Sequence, residues 1–303
     1  MFPLMSSSTG KVVFITGGAG GVGAEVAQRM HSKGANLVLV DLDETPLKAL
    51  AARLGEDRVM TVIADVRDMA AMQTAAERTV DRFGGIDVVM ANAGIATYGS
   101  VLQVDPEAFK TLIDVNVVGV FNTVRAALPA VINRSGYVLI VSSAAAYVAM
   151  PGLAPYNASK AAVEHFANAL RIEVAHLGVD VGSAHMSWID TPLVQDARSD
   201  LSTFREVLSL MPGLASKTTT VEKCGEAFVK GIERRKRRIH CPRWVGLTRW
   251  LRPMLATPAA EYQLRKYTPD LLPRMDAEVA ALGRSMSART EAMAKRSNGA
   301  AQD

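Results

Sequence analysis

Short apolar runs recur near 12–16, 36–40, 59–64, 86–91, 137–142, 180–184 and 239–242, with little polar alternation inside them. Strands buried on both faces of a parallel sheet read this way, because helices cover both sides and neither face meets water. Between the runs lie segments whose apolar residues follow a helical period, near 21–33, 45–54, 69–83, 105–133, 155–177 and 220–235. Asp105-Pro106 opens one of these with a capping carboxylate and a proline at the first helical position. Thr219-x-x-Glu222 reads as a capping box for the last. Strands and helices in strict alternation predict an α/β fold, a doubly wound seven-stranded parallel sheet with helices on both faces.

The pattern changes near Trp244. Three regions are expected: a tail over 1–10, an α/β domain over 11–243 and an extension over 244–303. In the extension Pro253, Pro258, Pro269 and Pro273 punctuate what reads as short helical stretches, and the tail from Ser297 reads as disordered. Trp244, Leu247, Trp250, Leu251, Met254 and Leu255 recur at helical spacing among Arg243, Arg249 and Arg252. A basic amphipathic helix with tryptophans suits a weak peripheral membrane contact through 244–255, and equally suits packing on protein.

Composition narrows the classes. At 303 residues, 49% hydrophobic and 21% charged, the chain has the make-up of one well-buried domain with an addition. Its two cysteines, Cys224 and Cys241, offer no disulfide framework and suit a cytoplasmic protein. No secretory signal and no uninterrupted apolar run long enough to cross a bilayer is evident. The net charge of +4 is concentrated in 233–252, where Arg234, Arg235, Lys236, Arg237 and Arg238 face only Glu233. No base-reading motif accompanies them, so nucleic acid is not an expected partner, and a solvated helix end complementing the helix dipole is favoured.

The candidate chemistry lies in two motifs. Thr16-Gly17-Gly18-Ala19-Gly20-Gly21-Val22-Gly23 joins the first strand to the first helix, the context a dinucleotide-binding turn requires. Gly17 permits the tight turn, Gly21 lets backbone approach a pyrophosphate, and Gly23 lets helix pack on strand. The pyrophosphate would rest on the helix N-terminus with Val22 in its first turn. Asp41 ends the second strand, where a carboxylate accepts hydrogen bonds from ribose hydroxyls and repels a 2′-phosphate, so NAD is the expected cofactor. Far downstream, Tyr156 and Lys160 stand four apart on one helical face. A free tyrosine titrates near 10, and bringing it near 7 takes about 4 kcal/mol of preferential phenolate stabilisation. A nearby ammonium and a cationic nicotinamide work in that direction.

The spacing Gly-x-x-x-Gly-x-Gly with Tyr156-Asn157-Ala158-Ser159-Lys160 resembles the short-chain dehydrogenase/reductase family, over roughly 10–243. Asp65 at a strand end, Asn92-Ala93-Gly94 after another, Asn116 within a helix and Ser143 thirteen residues before Tyr156 fit the same resemblance. It implies a Rossmann-type fold and hydride transfer at a CH–OH group, with Tyr156 as acid/base and Lys160 binding the nicotinamide ribose. Ser143 would hold the substrate oxygen, and Asn116 would anchor a water leading toward Lys160. Asp65 and Val66 would border the adenine, Asn92 would line the cofactor cleft or stabilise the sheet, and Ile189 and Thr191 would contact the nicotinamide. The family's Pro-Gly before them is replaced by Met186-Ser187. His185 reads as a structural histidine, and no metal is expected. The family also implies a homodimer or homotetramer built on the long helices 105–133 and 155–177. Residues 192–218, rich in Leu, Val, Phe and Met, are expected to close over a small hydrophobic substrate, a secondary alcohol or ketone of steroid or lipid-derived kind. The alternative is a non-catalytic NAD-binding or membrane-peripheral protein on the same fold.

Overall fold

The computed structural model describes residues 8–300, without the side chains of Gln263 and 296–300. Seven strands form one sheet: β1 (Val12–Thr16), β2 (Asn36–Asp41), β3 (Val59–Ile63), β4 (Val88–Ala91), β5 (Tyr137–Val141), β6 (Asp180–Met186) and β7 (Arg238–Cys241). Every pairing is parallel, in the order β3-β2-β1-β4-β5-β6-β7. The expected doubly wound, Rossmann-type sheet is therefore present. The fourth strand starts two residues later than the apolar run suggests, and the Asp87 side chain just before it ties to the start of β1. Its carboxylate accepts from Val12 N at 3.0 Å and pairs with Lys11 at 2.9 Å.

Alternate residues of each strand feed opposite cores. Phe14, Val38, Val89 and Ile140 join one cluster with α3 (Met69–Phe83), α5 (Gly119–Asn133) and α6 (Ala154–Glu173). Val13, Ile15, Leu39, Met90 and Leu139 join the other with α1 (Gly21–Ser32), α2 (Glu44–Leu54) and α9 (Val221–Glu233). The stretch 106–133 is one helical run, α4 (Pro106–Ile113), a π-helical turn (Asp114–Val118) and then α5. By length and hydropathy it meets the test for a membrane-crossing helix, with an 18-residue window of mean hydropathy 1.5, but half of that window is buried within the fold.

The rest of the chain covers the sheet's C-terminal edge. α7 (Pro192–Asp200) and α8 (Ser202–Leu210) follow β6. α10 (Val245–Leu255), α11 (Pro258–Leu282) and α12 (Ala288–Ala300) make the extension. Three expectations need correction. The cap of α9 is Thr220, whose hydroxyl accepts from Lys223 N at 3.4 Å, because Thr219 is drawn into a β-bridge with Ile189. The extension is not a set of short pieces: α11 runs 25 residues through Pro269 and Pro273. An internal proline costs about 3 kcal/mol, and here the helix is held by Leu271, Met275 and Val279, all buried at i, i+4 and i+8. The tail expected to lack structure from Ser297 is helical to Ala300, and 301–303 lie outside the described residues.

Candidate active site

Between β1 and β4 the strand order reverses, and the crevice beyond the strand ends at such a point is where doubly wound folds bind ligands. The glycine run lies there. Gly17 and Gly21 have φ of 65° and 52°, the left-handed region that side chains resist. A Cβ on Gly23 would collide with the Gly17 carbonyl, so helix and turn touch backbone to backbone. Gly20 caps α1 without a side chain, leaving that helix start's N–H groups to a ligand, and the space a Gly20 Cβ would occupy is open to 4 Å. This open, positively polarised cradle fits a dinucleotide pyrophosphate. Val22 is buried beneath it.

Asp41 meets this turn. Its Oδ2 accepts from Ala19 N at 2.9 Å and its Oδ1 from Leu42 N at 2.8 Å. Burial pushes its pKa up against these bonds. Asn92, expected to line the cleft or stabilise the sheet, shapes the turn. Its Nδ2 donates to Thr16 O and Gly17 O at 3.0 and 3.1 Å. The Asp65 carboxylate is engaged by Arg67, at 2.8 Å through the backbone N–H and 2.8 Å through the guanidinium. Val66 is buried, and its carbonyl accepts from Asn122 at 3.0 Å. Thr191, at the cap of α7, is brought over the cradle: its methyl lies 3.3 Å from the Cβ position of Gly21. Ile189 is held by its bridge to Thr219 and turned into the core.

Ser143, Tyr156 and Lys160 converge beside this cradle. β5 delivers Ser143 to a short 3-10 turn (Ala144–Ala146), and α6 presents Tyr156 and Lys160 one turn apart. Tyr156 is desolvated, which raises its pKa, while the neighbouring Ser143 side chain works the other way. Lys160 Nζ stands 5.6 Å from the tyrosine ring centroid and donates to Val141 O at 3.1 Å. Burial pulls the Lys160 pKa down to about 8.

Asn116 occupies the π-helical turn, a wide turn of the kind found at functional sites. Its side chain grips the loop after β4: Oδ1 accepts from Ile95 N at 2.8 Å and Nδ2 donates to Ile95 O at 2.9 Å. The same Nδ2 donates to Ser159 Oγ at 3.0 Å. With its amide so engaged, Asn116 couples that loop to α6 next to Tyr156.

Three residues outside the predicted set belong here. A Cβ at Gly94 would stand 3.2 Å from Asn116 Oδ1 and 3.3 Å from Lys160 Nζ, so this position keeps the loop tight on both. Ser159 completes the Asn116 contact, and Ser142 donates to the Lys160 carbonyl at 2.8 Å. Gly94 was readable in the Asn-Ala-Gly run and Ser142 as the neighbour competing with Ser143, whereas Ser159 lay within the Tyr156–Lys160 motif with no role marked for it. Met186-Ser187 extends β6 along β7, with Ser187 N donating to Cys241 O at 2.9 Å and Met186 O accepting from Ser143 at 3.4 Å. His185 is buried, its Nε2 2.9 Å from Ser183 Oγ, and burial drives its pKa down to about 3, so it is a neutral structural group.

A dinucleotide cradle beside a Ser-Tyr-Lys cluster defines the oxidoreductase class built on this sheet. The sequence profile of the short chain dehydrogenases matches residues 11–202, and the chain belongs to that family. It is 34% identical over 190 residues to an uncharacterized oxidoreductase of Staphylococcus saprophyticus, covering 61% of this chain and 81% of that protein. An uncharacterized NAD-dependent oxidoreductase of Mycobacterium tuberculosis is 34% identical over 203 residues, covering 61% and 74%. The crystal structure of a short chain dehydrogenase/reductase from Burkholderia phymatum in complex with NAD superimposes with a TM-score of 0.74 at 24% identity, over 83% of this chain and 95% of that one. That likeness speaks for the fold.

Proposed function

We propose that this protein is an NAD-dependent oxidoreductase acting on a hydrophobic secondary alcohol or the matching ketone. One arrangement carries the reading: Ser143, Tyr156 and Lys160 converge, with Ser143 acting to lower the Tyr156 pKa and Lys160 Nζ 5.6 Å from the Tyr156 ring, beside an open glycine cradle. Bound NAD supplies the hydride acceptor at its nicotinamide. Ser143 holds the substrate oxygen, and Tyr156 accepts the hydroxyl proton in oxidation and returns it in reduction. Lys160 provides the nearby ammonium that favours a phenolate and donates to the nicotinamide ribose. The Asp41 carboxylate at the cradle favours NAD over a 2′-phosphorylated cofactor.

The residues packed with Tyr156 support an apolar substrate. Met150, Leu153, Trp188, Leu193 and Phe204 share its cluster, which suits a steroid or lipid-derived skeleton better than a polyol. Exposed Phe109, Val118, Phe121 and Ile172 on α4, the π-helical turn, α5 and α6 support assembly as a homodimer or homotetramer through these helices. The buried, free thiols of Cys224 and Cys241 suit a cytoplasmic location.

The test is NAD-linked turnover across steroid, long-chain and aromatic alcohols, with Tyr156→Phe as control. Loss of the acid/base is expected to lower kcat by about 10²–10⁴ while NAD still binds. NAD binding by the wild-type protein without turnover of any class would overturn the reading in favour of a non-catalytic NAD-binding protein.

A second reading concerns the extension. Leu247, Trp250 and Met254 lie at i, i+3 and i+7 on α10 and are 59%, 74% and 64% exposed. With Arg243 and Arg252 also exposed beside them, this face suits a peripheral contact with an anionic membrane.

A further inference from the structure

Three walls from separate parts of the chain share one apolar cluster with Tyr156: the loop after β4 through Tyr98, the loop before α6 through Met150 and Leu153, and the α7–α8 segment through Leu193 and Phe204. Loops of this kind move independently unless something ties them. Here a single C-terminal element, α11 with the turn that follows it, is bonded to two of them and packed on the third. On the first wall, Asp276 Oδ1 accepts from Ser100 N at 2.7 Å, and Ser285 O accepts from Tyr98 N at 2.9 Å. On the second, Met275 fills the space over Gly152, with its sulfur 2.5 Å from where a Cβ would be. On the third, Glu278 accepts hydrogen bonds from the Ser202 hydroxyl and from Thr203 Oγ1, the latter at 2.6 Å. Between walls, Asp200 of α7 accepts from Arg284 at 2.8 Å through one oxygen and from the Tyr98 hydroxyl at 2.9 Å through the other.

These contacts are of a kind that holds position. Arg284 and Asp200 are shielded, with side chains 15% and 17% exposed, so their pairing is little screened. The polar bonds ring an apolar contact in which Met275 and Val279 meet Phe204 and Leu208. The sequence places α11 at the far end of the chain from the glycine cradle.

We propose that Asp276, Glu278 and Arg284 are positioning residues, which clasp the three walls into one closed compartment and so fix the size of alcohol or ketone admitted. The inference rests on Ser143 and Tyr156 being the reacting centre. Opening the compartment to a bulkier skeleton then requires releasing the clasp, with no change at the cofactor cradle.

Full-length Glu278→Gln and Arg284→Gln, with Arg284→Lys as the conservative control, test this through two readouts. The first is limited trypsinolysis of the NAD-bound protein at Arg198 and Arg205. Removing one charge-assisted bond is expected to raise the open population, and with it the cleavage rate, about tenfold while NAD affinity is unchanged. The second is the ratio of kcat/KM for a steroid alcohol to that for 2-butanol. It should shift at least about fivefold through KM rather than kcat, and Arg284→Lys should restore it. Where a glutamine variant fails to fold, Ser202→Ala removes one bond of the same clasp from the other side and is held to the same two readouts. Unchanged cleavage and an unchanged ratio in folded variants that bind NAD overturn the clasp. If neither alcohol is turned over by the wild type, the proposed reaction falls and the proteolysis alone decides the clasp.

Discussion

Burying an ammonium strips its water and disfavours the charged form, which is why the pKa of Lys160, only 4% exposed, falls to about 8. The consequence for stability has a definite sign. An unfolded lysine keeps its proton to near 10.5, so between about 8 and 10.5 the unfolded chain binds more protons than the folded one. Stability then rises with pH across this window; below it the cost of the buried charge is present in full. In the cofactor-free protein, Lys160→Met should therefore stabilise relative to wild type at pH 7, and by pH 10 that advantage should shrink by about 2–3 kcal/mol. Denaturant titrations at the two pH values check it, and parallel profiles would reject it. At this scale the sequence was informative where residue type and spacing suffice: Ser143, Tyr156 and Lys160 do meet. What it left open is which partners these side chains take: the fold engages Asn92 on Gly17 O and Asp65 on Arg67. A side chain's type names the bonds it can make, and its neighbours choose among them.

At the scale of elements, caps and apolar runs were legible because both are local. Asp105 caps α4 as expected, accepting from Glu107 N at 3.1 Å. Asp68 does the same for α3, accepting from Ala70 N and Ala71 N at 2.8 and 3.1 Å. Since Asp68 is exposed and bonds only its own helix start, Asp68→Ala should cost about 1 kcal/mol of stability with NAD affinity intact. Thermal unfolding with a cofactor titration measures both, and a loss of affinity without a loss of stability would contradict it. Local signals failed where a distant partner intervened. Thr219 has the right spacing for a cap, but pairing with Ile189 moves that role to Thr220. Proline marked breaks in the extension, yet α11 continues because its buried stripe on α8 outweighs the missing hydrogen bonds.

Across the whole molecule, the extension divides its apolar residues between two environments. Val245 packs fully buried against Ala146 and Tyr147, while Leu247, Trp250 and Met254 of the same helix face water. If that face meets membranes, the intact protein should sediment with phosphatidylserine vesicles and not with neutral phosphatidylcholine ones. Replacing Leu247, Trp250 and Met254 by Ser should abolish sedimentation without altering NAD binding, and no sedimentation of the intact chain would dispose of the contact. The seven strands, the glycine turn and the Ser-Tyr-Lys spacing were all present in the linear chain, because a buried parallel strand, a left-handed turn and a helical face are each encoded within a few residues. That α11 closes over the walls of the compartment, and that Asp200 joins Tyr98 to Arg284, depended on segments up to 186 residues apart in the numbering finding one another. Such contacts leave no period or motif in a single sequence, since their specificity lies in shape and charge that exist only once the chain has packed.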